Sequence, residues 1–217
     1  MTYKDKLKSL LTPVEQKLFA KLSTPQKIQD YLDAMPNNVL NSNEHTMRSP
    51  RRVMRDRKAH CMEGAMLAAA ALAYHGRPPV LLGLEATAGD YDHIVALFKD
   101  GGRWGAISKT NYPVLRWRDP VYLSVRELAM SYFHEYFLDT GRKTLRRYSA
   151  PFDIQKFDPA KWLVVEEDVD WLAEELGAAR HFPIARPSTI KKLRKATKIE
   201  VETTVTREWS RSGKRLI

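Results

Sequence analysis

The residues best suited to chemistry in this sequence are its only cysteine, Cys61, and a histidine further along the chain, His93. A thiol becomes a nucleophile when a neighbouring imidazole takes its proton, and the same imidazole can later protonate a leaving group. Ser108 follows on a later segment and offers a hydroxyl that can fix the orientation and tautomer of the ring. These residue types, in this order, predict nucleophilic chemistry at a thiol.

Cys61 stands near the start of the stretch 60–76, HCMEGAMLAAAALAYHG, which is apolar nearly all the way round. A helix without a polar face is normally buried, so the stretch predicts a core helix that ends at Gly76. Cys61 falls in its first turn, where free N–H groups and the positive end of the helix dipole favour a thiolate.

The residues after this helix predict three strands joined by short turns. Two hairpin registers are open between the second and third strands. A two-residue loop at Asp100-Gly101 places His93 opposite Ser108, whereas a loop at Gly101-Gly102 places it opposite Thr110. Either register gives the histidine a small polar neighbour at a Cβ separation of about 5 Å. The predicted strands are 80–85, 93–99 and 103–108.

Residues 60–113, about a quarter of the chain, resemble the core of the transglutaminase-like superfamily, which is related to the papain-like enzymes. The matching segments are the helix HCMEGAMLAAAAL, the strand DHIVALF and the strand GRWGAIS. The resemblance implies that Cys61 is the nucleophile and that His93 is the general base and acid. It also implies that the Cys61 backbone N–H donates to an oxyanion.

The third member of the triad is where this sequence departs from the family pattern. An aspartate usually follows the strand tryptophan by four positions, but Trp104 is followed there by Ser108. A serine accepts a hydrogen bond from His93 without bringing a charge, so thiolate formation is expected to be weaker than in the usual triad. Asn111 and Asp119 are the alternatives, ranked second and third.

Two residues beside the cysteine carry separate expectations. Glu63 lies in the first turn, where a carboxylate stabilises the helix through its dipole but opposes formation of a thiolate nearby. His60 adjoins Cys61 in sequence and is interpreted as a surface or cap residue whose side chain points elsewhere.

The element pattern predicts an α+β fold in which the buried cysteine helix packs on an antiparallel sheet, with extra N- and C-terminal helices. We expect one transglutaminase-like domain over 1–180, with an N-terminal helical segment over 1–58, and a basic C-terminal extension over 181–217. Further predictions are an Asn-rich loop over 36–46, a helix over 124–137, a connector over 141–150, a short strand over 162–166, a helix capped by Asp168 and a strand over 199–205.

The net charge of +10 is concentrated in two places. Residues 186–217 hold ten Lys or Arg against three Glu, and residues 48–58 hold six Lys or Arg against one Asp. Neither cluster has interleaved aromatic residues for base stacking, which disfavours specific nucleic-acid binding. The tail is expected to make weak contact with anions or with an acidic partner.

A single cysteine excludes an internal disulfide and a cysteine-built zinc site and indicates a reducing compartment. The amino terminus lacks the uninterrupted apolar core of a signal peptide, and the longest apolar run, 64–74, is too short to span a bilayer. Cytoplasmic location and no membrane contact are therefore expected. The histidines show no metal-ligand spacing and no phosphate-binding glycine motif occurs, so neither a metal nor a cofactor is predicted.

These features together predict a cofactor-free cysteine enzyme that acts on an amide or ester through a thioester. Its substrate would be a peptide, a protein or a small amide or ester, and hydrolysis is favoured over acyl transfer because water needs no second binding site. The alternatives are a catalytically degenerate fold that serves as a binding module, and an anion- or nucleic-acid-binding adaptor that uses the basic tail.

Overall fold

The computed structural model describes residues 1–38 and 46–217, so the Asn-rich loop predicted over 36–46 lies mostly outside the described residues. Four short helices precede the cysteine. Three of them begin as the sequence predicts, with Thr12, Thr24 or Ser49 at the N-cap and proline at the first helical position. The four helices are α1 (Tyr3–Leu10), α2 (Pro13–Lys21), α3 (Pro25–Asp33) and α4 (Pro50–Asp56).

The cysteine helix, α5 (Cys61–Tyr74), runs through the centre of the molecule, and every residue from 62 to 73 is buried. Because half of these residues are alanine, neighbouring elements approach closely. Helices α1 to α4 pack along part of its surface and the sheet covers the rest. The helix ends as predicted, with Gly76 in the left-handed conformation at φ +81°.

The described residues form a seven-stranded sheet in which every pair of neighbours is antiparallel. The order is β4-β3-β2-β1-β5-β7, and β6 pairs with β1. The mixed α+β class and the antiparallel sheet are thus confirmed. The strands are β1 (Val80–Ala86), β2 (His93–Asp100), β3 (Arg103–Ser108), β4 (Arg118–Tyr122), β5 (Leu145–Ser149), β6 (Phe152–Asp153) and β7 (His181–Pro183).

The sheet is buried on both faces. Leu81 and Ala96 belong to the core cluster around α5, whereas Leu82 and Val95, one position along each strand, belong to a second cluster on the opposite face. This second core is closed by α6 (Val125–Ser131) and the aromatic residues after it. Successive side chains along these strands point to opposite faces of the sheet, and each face packs against its own apolar core rather than one face meeting solvent.

The hairpin between β2 and β3 decides between the two predicted registers. Its two-residue loop is Gly101-Gly102, and Val95, rather than His93, lies opposite Ser108. The register built on an Asp100-Gly101 loop is therefore wrong. Both glycines adopt positive φ, +53° and +77°, and such tight turns require this conformation at both central positions. Glycine adopts it freely, while aspartate does so at a cost.

Several predictions for the second half of the chain are corrected. The helix predicted over 124–137 ends at Ser131 and continues as a 3₁₀ turn, Phe133–Glu135. The predicted connector over 141–150 contains β5, which pairs with β1. No strand forms over 162–166, because Trp162 and Leu163 are both fully buried in one core, and a strand would place them on opposite faces.

Two predictions near the C-terminus, one of a strand and one of a helix cap, also change. Residues 199–205, predicted as a strand, lie largely in α9 (Lys198–Thr203), because Thr197 and Glu200 form a capping box at its start. The helix α7 (Asp170–Ala178) has Val169 at its N-cap, while the carboxylate of Asp168 accepts a hydrogen bond from Arg52. The remaining short elements are the 3₁₀ turns Ile154–Lys156 and Pro159–Lys161 and the helix α8 (Pro187–Ile190).

The predicted C-terminal extension, 181–217, begins with β7, which pairs with β5 at one end of the sheet. Its last part returns to the loop after β3, where the Trp209 backbone is hydrogen-bonded to Asn111. None of the helices in the described parts of the chain has the length and apolar character needed to cross a bilayer.

The tightest contact of α5 yields a stability prediction. A Cβ added at Gly64 would lie 2.6 Å from Cβ of Lys109, an atom fixed by the backbone. Gly64→Ala is therefore expected to lower the free energy of unfolding by about 1 to 3 kcal/mol, although alanine is the better helix former.

Gly177→Ala is the matched control, because its Cβ would meet nothing within 4 Å. It should leave stability unchanged or raise it by up to about 1 kcal/mol. Urea unfolding of both variants measures the difference, and a stabilised Gly64→Ala would contradict the prediction.

Candidate active site

The predicted nucleophile and base lie where the start of α5 meets the start of β2. Cys61 is the first residue of the helix, its side chain is half-buried, and its Sγ lies 4.0 Å from the backbone oxygen of Asp92. His93 follows Asp92 as the first residue of β2, and its side chain lies close enough to the Cys61 thiol to lower the pKa of that thiol. The fold therefore brings together two of the three residues singled out in the sequence, at a point that solvent reaches.

Ser108 is the direct partner of His93. The Nε2 atom of His93 lies 2.8 Å from Oγ of Ser108, and that hydroxyl donates its own hydrogen to the backbone oxygen of Leu115 at 2.5 Å. A hydroxyl has one hydrogen, so Ser108 accepts at His93 and the ring carries its proton on Nε2. Nδ1 of the neutral ring is left as a base, which is the nitrogen available to the thiol.

The contact between His93 and Ser108 is diagonal across the hairpin. Val95 occupies the position opposite Ser108, and the imidazole spans the extra two residues because diagonal neighbours on one face are within reach of long side chains. Gln29 of α3 fixes the serine backbone from the other side. Its Oε1 accepts from the Ser108 N–H at 2.9 Å, and its Nε2 donates to the Ser108 oxygen at 2.8 Å. Sequence reasoning missed this residue.

His60 is the second histidine at the thiol, and the interpretation that its side chain points elsewhere is wrong. Its imidazole is 18% exposed, its Nε2 lies 2.8 Å from the backbone oxygen of Thr46, and the ring lies close enough to Cys61 to lower the pKa of the thiol. His60 is the N-cap, with extended backbone angles, so helical spacing does not govern where its side chain points. The signal in the sequence that could have indicated this role is that a histidine directly precedes the cysteine.

Glu63 is fully buried, and its carboxylate is satisfied by hydrogen bonds from four donors. Its Oε1 also lies 3.5 Å from Nε2 of His60, so its charge acts first on that histidine. The sequence had suggested that Glu63 would oppose a thiolate. Through His60 it acts in the opposite direction, because it favours the imidazolium beside the sulfur. The four donors are Asn38 Nδ2, Thr46 Oγ1, and the backbone N–H groups of Arg48 and His60.

The two histidines make the thiol acidic. Burial alone would raise the pKa of Cys61, but hydrogen bonds and charges from His60 and His93 outweigh it and hold that pKa well below its ordinary value. Burial lowers the pKa of His60, yet the bond to Cys61 and the charges of Cys61 and Glu63 raise it to about 9. At neutral pH the arrangement therefore favours a thiolate beside a His60 imidazolium.

The alternative third residues are engaged elsewhere. Asn111 accepts from the Trp209 N–H at 2.7 Å and donates to the Trp209 oxygen at 2.9 Å, which ties it to the C-terminal segment. Asp119 is on β4 and accepts a hydrogen bond from Trp117 Nε1 at 2.9 Å. Of the three candidates, Ser108 is the one that the fold places against His93.

The basic cluster over 48–58 is largely neutralised within the chain. Arg51 forms a bidentate pair with Glu15, and three further arginines pair with carboxylates of α4 or of the segment before α7. These charges tie α4 to its neighbours rather than forming a free cationic surface. The three further pairs are Arg48 with Asp56, Arg52 with Asp168 and Arg55 with Glu166.

Comparison of the chain with models of known protein families finds no match, and no curated protein sequence matches it. The interpretation of the site therefore depends on its geometry and electrostatics. Within residues 1–38 and 46–217, no group of three or more His, Cys, Asp or Glu side chains is arranged to hold a metal ion.

The electrostatics of the thiol give a direct pH prediction. The rate of Cys61 alkylation by iodoacetamide should rise with pH at a midpoint well below the value of about 8.5 for a free cysteine. His60→Ala removes an opposite charge and should move that midpoint upward by about 1 to 3 pH units. His93→Ala should shift it in the same direction. His134→Ala, at an exposed histidine after α6, is the control and should leave the midpoint unchanged. A wild-type midpoint at the free-cysteine value would contradict the ion pair.

Proposed function

We propose that this protein is a cofactor-free cysteine enzyme that acts on an amide or ester bond through a thioester on Cys61. The observation that carries the proposal is a half-buried thiol of lowered pKa, flanked by two histidines at the start of a buried helix. A cysteine that only packs in a core does not require a lowered pKa, whereas a nucleophilic cysteine does, because the thiolate is the reactive form. The substrate class is a peptide, a protein or a small amide or ester.

The proposed reaction uses each group in a distinct role. The Cys61 sulfur attacks the carbonyl carbon, and the oxygen that becomes negative accepts from the Cys61 N–H, which has no partner within the first turn of α5. The proton that His93 takes from the thiol when the thiolate forms is held on Nδ1, and His93 gives it to the leaving amine or alcohol as the carbon–heteroatom bond breaks. Water or an amine then attacks the thioester while His93 accepts the proton from it. The thiol leaves and regains its hydrogen.

The proposed fold is a transglutaminase-like core over residues 60–113. Its support is the arrangement of α5 against β1, β2 and β3, with the cysteine at the start of the helix and the histidine at the start of the middle strand. A reducing, cytoplasmic location belongs to the same proposal, because the reaction requires a free Cys61 thiol.

One observation favours a second candidate, a binding module that has the same fold but no activity. The residue against His93 is a serine, and within residues 1–38 and 46–217 no hydrogen bond or ion pair joins a carboxylate to the ring. The imidazolium that must form during acylation then lacks an adjacent negative charge, which is expected to slow the reaction. The two candidates agree on the fold and differ on whether Cys61 forms a covalent intermediate.

Acylation by p-nitrophenyl acetate distinguishes the two candidates. The wild-type chain should release p-nitrophenol in a burst and carry an acetyl group on Cys61, detected by intact mass and peptide mapping. Cys61→Ala should abolish the adduct, and His93→Ala should slow its formation by about 10²- to 10⁴-fold. His134→Ala serves again as the control. A folded wild-type protein that forms no Cys61 adduct would support the binding module and contradict the enzyme.

The fate of the acetyl group separates hydrolysis from acyl transfer. Adding a primary amine such as glycine methyl ester to the acetylated protein should leave turnover unchanged for a hydrolase. For an acyl transferase the amine should accelerate turnover and appear as its acetyl amide. We expect hydrolysis to predominate, because water needs no second binding site.

A further inference from the structure

We propose that Glu135 is a positioning residue for His93 and acts on it through the backbone of Leu115. This inference rests on the proposed function, because it concerns how the imidazole that serves Cys61 is held in place. It assigns a purpose to a carboxylate that is distant from Cys61 in sequence and does not touch the imidazole.

A chain of hydrogen bonds runs from the histidine to the carboxylate by way of Leu115. His93 Nε2 donates to Ser108 Oγ at 2.8 Å, and Ser108 Oγ donates to the Leu115 oxygen at 2.5 Å. On the other side of the same residue, the Leu115 N–H donates to Glu135 Oε2 at 2.7 Å. The N–H and the oxygen of Leu115 belong to different peptide groups, so the carboxylate acts on Ser108 by fixing the position of the Leu115 backbone.

Leu115 has the backbone conformation that this connection requires. Its φ is +60°, in the left-handed region that leucine adopts at a cost. The conformation reverses the chain between β3 and β4, so that the oxygen of Leu115 reaches Ser108 and its N–H reaches Glu135. Strained backbone persists where surrounding contacts fix it, and here the contacts at both ends are the members of the hydrogen-bond chain.

Arg118 holds the carboxylate in place. Its Nη2 lies 2.6 Å from Glu135 Oε1, and its Nε donates to Ser131 Oγ at 2.9 Å. The guanidinium also lies over the Tyr132 ring, 4.0 Å from the centroid. Helix α6 ends at Ser131, and Glu135 lies in the 3₁₀ turn that follows it. From this turn its carboxylate reaches the N–H of Leu115.

The consequence of this arrangement is geometric. Glu135 holds the Leu115 N–H, and with it the left-handed residue that presents the Leu115 oxygen to Ser108. The single hydrogen of Ser108 is thereby committed to Leu115, and its oxygen remains an acceptor for Nε2 of His93. Because Glu135 is paired with Arg118, it acts by holding the backbone rather than by adding a net negative charge.

The test removes the charge while keeping the shape. In Glu135→Gln the pH midpoint of Cys61 alkylation should move upward by up to about 1 unit, because a neutral amide oxygen holds the Leu115 N–H less tightly than a carboxylate does, and the Ser108 hydroxyl is then less well fixed against His93. Acetylation by p-nitrophenyl acetate should slow roughly five- to tenfold for the same reason. Glu127→Gln, which removes a carboxylate from the first turn of α6, is the charge-matched control and should change neither quantity.

A double-mutant cycle separates positioning from a merely structural role. Ser108→Ala cuts the hydrogen-bond chain, so Glu135→Gln added to Ser108→Ala should produce no further shift in the midpoint. An unchanged midpoint in the single variant, or an equal shift in both backgrounds, would overturn the inference. Should Glu135→Gln not fold, Glu135→Asp withdraws the carboxylate by one methylene and should move the midpoint in the same direction; a folded Glu135→Asp with the wild-type midpoint overturns it.

The alkylation readout does not depend on catalysis, so failure of the inference and failure of the proposed function are distinguishable. A wild-type protein that is not acetylated, but whose alkylation midpoint responds to Glu135→Gln only when Ser108 is present, would retain the positioning role and lose the enzyme. A protein that is acetylated normally in Glu135→Gln would retain the enzyme and lose the positioning role.

Discussion

The complete burial of α5 is the constraint on which the rest of the structure depends. A helix without a polar face must be covered all round, and its alanines allow the sheet on one side and α1 to α4 on the other to approach closely. The contact of Gly64 with Lys109 fixes the first turn against the residue after β3. Lys109 in turn donates to the backbone oxygens of Leu32 and Met35 at the end of α3. The site is therefore held by the core itself.

Burial of the first turn also determines its electrostatics. A carboxylate at Glu63 could be buried only if its oxygens were hydrogen-bonded, and four donors meet that requirement. The negative charge of Glu63 helps to raise the pKa of His60, so that this histidine is cationic at neutral pH. The His60 side chain in turn lowers the pKa of Cys61. A residue that opposes a thiolate when only sequence proximity is considered therefore supports one in the folded chain. The difference arises because the histidine lies between the two negative groups.

The sequence predicted the parts of the fold that depend on local patterns. The apolar helix at Cys61, the strand that begins at His93 and the proline-marked helix starts all depend on neighbouring residues, and all are found. The hairpin register was left open between two loops, and the preference of glycine for positive φ decides it. Ser108 is the partner of His93 although the register that first suggested it is wrong, because a long side chain reaches diagonally.

Two residues that sequence reasoning missed depend on contacts between distant segments. Gln29 reaches Ser108 from α3, and Glu135 reaches Leu115 from beyond α6; nothing in the local pattern around either residue indicates its partner. The strand predicted over 199–205 is wrong for a local reason. The alternating pattern there suggested a strand, but the capping box of Thr197 and Glu200 starts a helix, and no neighbouring strand pairs with this segment among the described residues. The direction of the His60 side chain could not be predicted from helical spacing, because that spacing does not apply at an N-cap.

The arrangement separates two tasks that a single charged triad would combine. A carboxylate in direct contact with His93 would fix its tautomer and stabilise its charge together. Here the tautomer is fixed by the Leu115 carbonyl, which takes the only hydrogen of Ser108 and leaves its oxygen as an acceptor. The charge that stabilises the thiolate comes from His60 on the helix side, supported by Glu63. In the proposed reaction His93 is then free to move protons while His60 keeps its own, because the pKa of His60 is raised to about 9. In the proposed reaction Ser108 therefore keeps the tautomer function of the triad, while it supplies no charge to the His93 imidazolium.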